Sequence, residues 1–439
     1  MFYEVSVRKF SAMILGFKVV YKDKNFIMAN IFIKGVTLDG SVTNIKIAGN
    51  RFTEIGRDIT ASLGDVVIDG ADKAIVPPFY NAHTHAAMTL LRGYADDMPL
   101  FPWLNDYIWP FEAKMTEEDI YIGSRLALLE MIKSGTIFFN DMYWDTHETW
   151  RATEEIGLRG CMGMTFTDNL GEKQIEKNFE LLKEYKDKSS RIQMAIAPHA
   201  VYTVSEKLWI RCAEVAKSEG VLLHFHLSET EKEVNDCIEQ YGMTPVRWLD
   251  KLGILGDNCI AAHVVHVDQE EMQILKDRGV AIAHNPVSNM KLSSGYFKSK
   301  QMDMNGNKVL IGTDGCSSNN NLDMLEETKF AAMIAKCNYG PEVLPVQTLL
   351  QWSQTNGPKI FGIDAGEIKV GKLADALLVD LNNERMVPCY NFTSNWIYAT
   401  GTEAIDTVIC DGRILMQNRK VEGEEEIICR AKSCCRKWM

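Results

Sequence analysis

The sequence lacks the features that would place it in a membrane, in an oxidising compartment or on a nucleic acid. No stretch of its 439 residues offers the charge-free apolar run of about 20 residues that a bilayer span needs. The short apolar run in MILGFKVVYKDK is interrupted or followed by Lys18, Lys22 and Lys24, and no small-residue cleavage site follows it. The eleven cysteines have neither the paired spacing of a disulfide framework nor that of a zinc ribbon, so they read as reduced thiols and the expected location is cytoplasmic. Basic residues are in deficit, 47 against 59 acidic, for a net charge of −12. A surface of that sign argues against nucleic acid polymers and anionic membranes as partners, because neutralising phosphates takes clustered lysine and arginine. Also missing are the H-x-E plus P-C-x-x-C pattern of cytidine-type zinc deaminases and the H-E-x-x-H of metalloproteases.

What is present has two textures. Residues 29–76 carry short alternating runs separated by Asp-Gly and Gly-Asn turns, and the same texture returns after about residue 370 in GKLADALLVDLNN and AIDTVICDGRILMQNRKVEG. Between them, apolar β-rich runs alternate with amphipathic helical segments. The strand candidates are AIVPPFYNAHTH, GTIFFNDMY, GCMGMTF, RIQMAIAPH, GVLLHFHLSE, CIAAHVVHV, VAIAHNPVS and KVLIGTDG. Eight such repeats predict a (β/α)8 TIM barrel over 77–370, with a small β-sandwich domain built from 28–76 plus 371–439 and an extension over 1–27.

The chemistry lies at the predicted strand ends. Eight of the nine histidines fall on or beside one, and only His147 lies elsewhere. In a barrel those ends gather on one face. His83 and His85 in NAHTH are two apart and so point the same way along a strand. Either alone reads equally well as a hydrogen-bonded strand end. With His226 after strand five and Asp314 after strand eight they make three imidazoles and one carboxylate. That set suits one divalent metal, zinc first and iron(II) as the alternative, with a position left for water. A catalytic ion brings the pKa of such a water from about 15.7 toward about 7. RIQMAIAPHA has no lysine to carry a carbamate bridge, which favours one metal over two. Glu229, three residues after His226, is placed to move a proton from that water to a ring nitrogen or leaving amine, and His263 to orient the water. His199 suits a substrate ring nitrogen or hydroxyl. His224, His266 and His284 read as supporting or structural.

The motifs NAHTH, LLRGYADD, GTIFFNDMY, APHAVYT, HFHLSET, AAHVVHV, HNPVSNMKL and IGTDGCSSNNNLDM resemble the amidohydrolase superfamily, and within it the methylthioadenosine / S-adenosylhomocysteine deaminase group. The match runs from about Met28 to residue 420. The resemblance implies His83, His85, His226 and Asp314 as metal ligands, and Glu229 and His263 at the reacting water. Glu112 and His199 would contact a small-molecule nucleoside. It implies a hydrolytic deaminase of 5′-substituted adenosines, namely methylthioadenosine, 5′-deoxyadenosine or S-adenosylhomocysteine, giving the inosine analogue and ammonia. Asp314 would take the second proton of the attacking water. Phe101, Pro102, Trp103 and Leu104 would form an apolar lid, with Trp103 against substrate. A homo-oligomer is compatible with this class.

Three departures from the group stand out. Pro78 occupies a position where glycine is usual, and residues 1–27 have no counterpart. No arginine lies between Cys161 and Ser190 to receive a homocysteine carboxylate, although Lys173 and Lys177 do. Short tails against Met164 are therefore expected to fit better. Two other readings use the same residues: a guanine or pterin deaminase or triazine chlorohydrolase on the same barrel, and a non-catalytic metal-binding protein. The second would lack a ligand or base, and none is missing.

Overall fold

A computed structural model describes residues 30–438. The expected extension over 1–27 and the Met28 start lie outside the described residues. Five strands come first: β1 (Ile31–Leu38), β2 (Ser41–Ala48), β3 (Arg51–Gly56), β4 (Val66–Asp69) and β5 (Lys73–Val76). Eight more follow: β6 (Phe79–Thr84), β7 (Thr136–Tyr143), β8 (Arg159–Phe166), β9 (Ile192–Pro198), β10 (Leu222–Leu227), β11 (Cys259–His263), β12 (Ala281–His284) and β13 (Lys308–Ile311). Then come β14 (Ala376–Asp380), β15 (Ile405–Cys410), β16 (Arg413–Gln417) and β17 (Lys420–Val421).

Strands β6 to β13 pair in sequence order, all in parallel, as a (β/α)8 barrel does. Every residue of β6, β7 and β8 is buried, which is why these strands read as continuous apolar runs rather than alternations. Where β13 meets β6, side chains and loop backbone make the join. Asp314 N donates to the His83 carbonyl at 3.0 Å, and Asn81 Nδ2 donates to Thr313 Oγ1 at 2.7 Å. Gly312 permits that approach, since a Cβ there would sit 2.8 Å from the His83 nitrogen.

Strands β1 to β5 and β14 to β17 join in a second, nine-stranded sheet with β14 antiparallel to β5. Most of its pairs are antiparallel, but β1 runs parallel to both β4 and β5. Ile33, Val36, Ile45, Phe52, Ala376 and Leu378 form a core of its own.

The predicted run AIVPPFYNAHTH divides between the two sheets. Ala74–Val76 lies in β5, and Phe79 opens β6 after two prolines. Proline has no backbone N–H to give to a ladder, so Pro77 and Pro78 separate the sheets rather than bend one strand. β11 ends at His263, where the end of strand six is expected, whereas β13 ends at Ile311, three residues before Asp314, the expected end of strand eight. His263, at the end of β11, and Asp314, beyond β13, have left-handed φ of 73° and 62°.

Candidate active site

His83 lies at 0% exposure inside the barrel mouth. Its Nδ1 is 3.0 Å from His224 Nε2, and its own Nε2 is buried with no hydrogen-bond partner. His85 Nδ1 donates to the Met142 carbonyl at 2.6 Å, and His226 Nδ1 donates to the His199 carbonyl at 2.9 Å. With the proton fixed on Nδ1, the lone pair of each ring sits on Nε2. Asp314 Oδ1 stands 3.3 Å from His83 Nε2 and 3.2 Å from His85 Nε2. Its Oδ2 accepts from Ser288 Oγ at 2.6 Å and from Ser318 Oγ at 3.0 Å.

One ligand atom from each of His83, His85 and His226 lies within 4.8 Å of the others, and the same holds for His83, His263 and Asp314. Three lone pairs and a carboxylate converging on one buried point fit a divalent cation. Burial lowers His83 to about 4 and pushes His226 well below its ordinary value, so both rings offer lone pairs at neutral pH. Burial also opposes a charge on His85, but hydrogen bonding to Asp314 outweighs it and raises that ring to about 9, so its Nε2 offers a lone pair only once a cation displaces the second proton. Asp314, despite burial, is held well below the carboxylate range by His83 and His85.

Glu229 follows β10 and is nearly buried, and burial raises its pKa. Its Oε1 accepts from Ser294 Oγ at 3.1 Å, and its Oε2 lies 3.7 Å from His263 Nε2. Glu233 clamps the turn that carries it, accepting from the backbone nitrogens of Ser228 at 2.9 Å and Glu229 at 2.7 Å. His263 is fixed in turn by Asn289 Oδ1, 2.8 Å from its Nδ1.

His85, His226, Glu229, His263 and Asp314 face a cavity of about 60 Å³. Glu112, His199, Trp109 and Trp144 line both this cavity and an adjoining one of about 330 Å³. Residues 100–112 cover the mouth as two short α-turns around a π-turn at Leu104–Ile108. Of the four residues expected to form a lid, Trp103 and Leu104 line the inner cavity, Phe101 faces Tyr202 at 5.4 Å, and Pro102 is exposed. Met164 does not face the tail side: it lies in the main core, and its strand neighbour Thr165 lines the cavity. Alternation along β8 decides which of the two points inward. Lys173 and Lys177 are exposed on the helix Gly171–Tyr185 and line neither cavity.

Of the remaining histidines, His224 backs His83, His284 stacks on Phe297 at 4.4 Å, and His266 Nε2 donates to the Ser294 carbonyl at 2.6 Å. Sequence reasoning missed Ser288, Ser294, Ser318, Asn289, Glu233, Trp109 and Trp144. Trp109, Glu233 and Ser318 stand within four residues of Glu112, Glu229 and Asp314, which are singled out above.

Comparison with known proteins agrees with this geometry. The profile described as the amidohydrolase family matches residues 74–415. A 5′-deoxyadenosine deaminase of Methanosphaera stadtmanae is 44% identical over 89% of this chain and 93% of its own length. A 5-methylthioadenosine/S-adenosylhomocysteine deaminase of Archaeoglobus fulgidus is 44% identical over 87% of this chain and 91% of its own. Among solved structures, an adenosine deaminase from Xanthomonas campestris with bound zinc superposes with a TM-score of 0.88 at 31% identity, covering 93% of this chain and 98% of that one. With a barrel of this topology, a His-and-carboxylate cluster at its mouth and relatives of this closeness, the chain belongs to the amidohydrolase family.

Proposed function

We propose that this protein is a metal-dependent hydrolytic deaminase that converts 5′-substituted adenosines to the matching inosines and ammonia. The observation that carries the reading is one cavity lined by His85, His226, Asp314 and the carboxylate of Glu229, with His83 buried beside it and grouped with His85 and His226 and with Asp314. The names of the relatives at 44% identity point to the nucleoside.

His83, His85, His226 and Asp314 would hold the metal, for which zinc is the first choice and iron(II) the alternative. When bound, the ion supplies Lewis acidity that makes water a nucleophile near neutral pH. Glu229 takes one proton of the attacking water and delivers it to N1 of the adenine as oxygen bonds to C6. Burial suits Glu229 to this shuttle, because a raised pKa lets it hold the proton between the two transfers. His263, oriented by Asn289, holds the water in line. Asp314 passes the second proton to the exocyclic nitrogen, the C6–N bond breaks and ammonia leaves.

Glu112 accepts from the ribose hydroxyls and His199 contacts the nucleoside, while Trp103 and its neighbours exclude bulk water. The 5′ substituent extends into the adjoining cavity, whose lining includes Trp109, Trp144, Leu170, Asn169 and Thr167. Glu112 and His199 are the ionisable side chains in that lining, so neutral 5′-deoxy and methylthio groups suit it better than a tail carboxylate.

The test is ammonia release by metal-loaded protein from a panel of 5′-substituted adenosines, guanine, a pterin and a chlorotriazine. Glu229→Gln is expected to retain metal and lose turnover by about 10³-fold. Full activity in that variant would remove Glu229 from the proton path. Turnover of guanine with none of any adenosine would replace the nucleoside reading.

A further inference from the structure

The segment that carries Glu112 packs in an apolar cluster apart from the main core. Trp103, Ile108 and Phe111 meet Leu91 and Tyr143 from the barrel side there, and Ala431 and Cys434 of the helix Glu424–Cys435 from the other. Phe111, the residue before Glu112, lies between Tyr94 at 4.8 Å and Trp438 at 4.7 Å, ring centre to ring centre. The Glu112 carboxylate has Tyr143 and Trp144 beside it; Trp144 Nε1 donates to its Oε2 at 3.5 Å, and its Oε1 is buried without a hydrogen-bond partner among the described residues. Its main chain follows directly on Phe111.

Trp438 is pinned independently of the segment it supports. The helix Glu117–Lys133 begins with a capping box in which Asp119 accepts from the Thr116 backbone nitrogen at 2.8 Å. The same carboxylate, 1% exposed, receives Cys434 Sγ at 3.0 Å and the Lys437 ammonium. Arg430 lies over the Tyr121 ring at 5.5 Å and pairs with Glu118. One helix thus anchors residues 430–437, and the next residue presses its indole on Phe111.

We propose that Trp438 is a positioning residue for the reaction: through Phe111 it sets where Glu112 meets the ribose. The proposal rests on the reading of Glu112 as a substrate contact, and the test separates the two. Kinetics with 5′-deoxyadenosine are measured on full-length metal-loaded Trp438→Ala, Trp438→Phe, Glu112→Gln and the double variant W438A/E112Q. Backbone hydrogen exchange is followed on the same proteins.

Trp438→Ala is expected to raise KM about tenfold while kcat stays within about twofold, and Trp438→Phe to recover most of the loss. In the Glu112→Gln background the same change should add less than about twofold, because the group it positions is gone. Exchange should quicken across residues 100–112 and stay unchanged in the barrel strands. An unchanged KM in Trp438→Ala, an equal loss in both backgrounds, or quickened exchange through the barrel would each overturn the proposal. If Glu112→Gln leaves KM unaltered, the ribose role falls. Exchange over residues 100–112 then decides whether Trp438 braces the segment: quickened exchange there supports the brace, and unchanged exchange overturns it.

Discussion

The two ends of the barrel both bury charged side chains, and they treat them in opposite ways. At the floor, where β8 begins, Arg159 Nε donates to Asp375 Oδ2 at 2.9 Å and its Nη2 to Asp411 Oδ1 at 2.7 Å. Asp411 N donates to Asp375 Oδ1 at 2.6 Å, and Asn50 Nδ2 reaches Asp411 Oδ1 at 3.0 Å. The guanidinium and both carboxylates there meet one another, and the network ties the barrel to the second sheet. At the mouth, His83 Nε2 and Glu112 Oε1 are buried without hydrogen-bond partners among the described residues, and ring nitrogens of His83, His85 and His226 lie within 4.8 Å of one another. Buried polar atoms are normally satisfied, so a satisfied network holds the fold and an unsatisfied one awaits a ligand.

Breaking the mouth should have the largest effect on activity. Asp314→Asn keeps the shape, removes a ligand charge and a proton acceptor, and is expected to lower kcat/KM by about 10³-fold or more. Its unfolding midpoint in urea should hold near wild type in the metal-free protein. Breaking the floor should do the reverse. Arg159→Met leaves Asp375 and Asp411 facing each other without their cation, and should cost about 3–5 kcal/mol of stability by urea unfolding. Folded Arg159→Met should still bind metal, and a selective loss of metal there would erase the distinction between the two ends.

How the two ends appear in the sequence also differs. The mouth was legible because histidines stand out at the ends of apolar runs, and the strands beneath them were found for the same reason. The floor was not. Arg159, Asp375 and Asp411 are 216 and 252 residues apart, and no period or spacing links them. The hydroxyls at the mouth escaped similarly, since Ser288, Ser294 and Ser318 sit on loops whose direction is set by packing. The end of β13 was placed three residues late, at Asp314, because the glycine and threonine between carry no signal that the strand has stopped. Trp438 belongs to no motif or period that would mark it, yet its ring packs on Phe111.

Two smaller effects sharpen the mouth itself. S-adenosylhomocysteine should be turned over with a kcat/KM about 30-fold below that of 5′-deoxyadenosine, because its carboxylate would enter a cavity lined, among the described residues, by no arginine or lysine. Equal rates for the two would place a cation in reach of the tail. Ser294→Ala removes the hydroxyl that donates to Glu229 Oε1 and should lower kcat about fivefold, about 1 kcal/mol, with metal content intact.

The claim that the unsatisfied end is a metal site has a direct measurement: metal per chain by mass spectrometry on purified wild type, His226→Ala and His284→Ala. His226 aims its lone pair at the cluster, whereas His284 is an equally buried ring stacked on Phe297. The account predicts close to one divalent ion per chain in wild type and His284→Ala, and little in His226→Ala. Equal metal in all three, or loss in both variants alike, would contradict it.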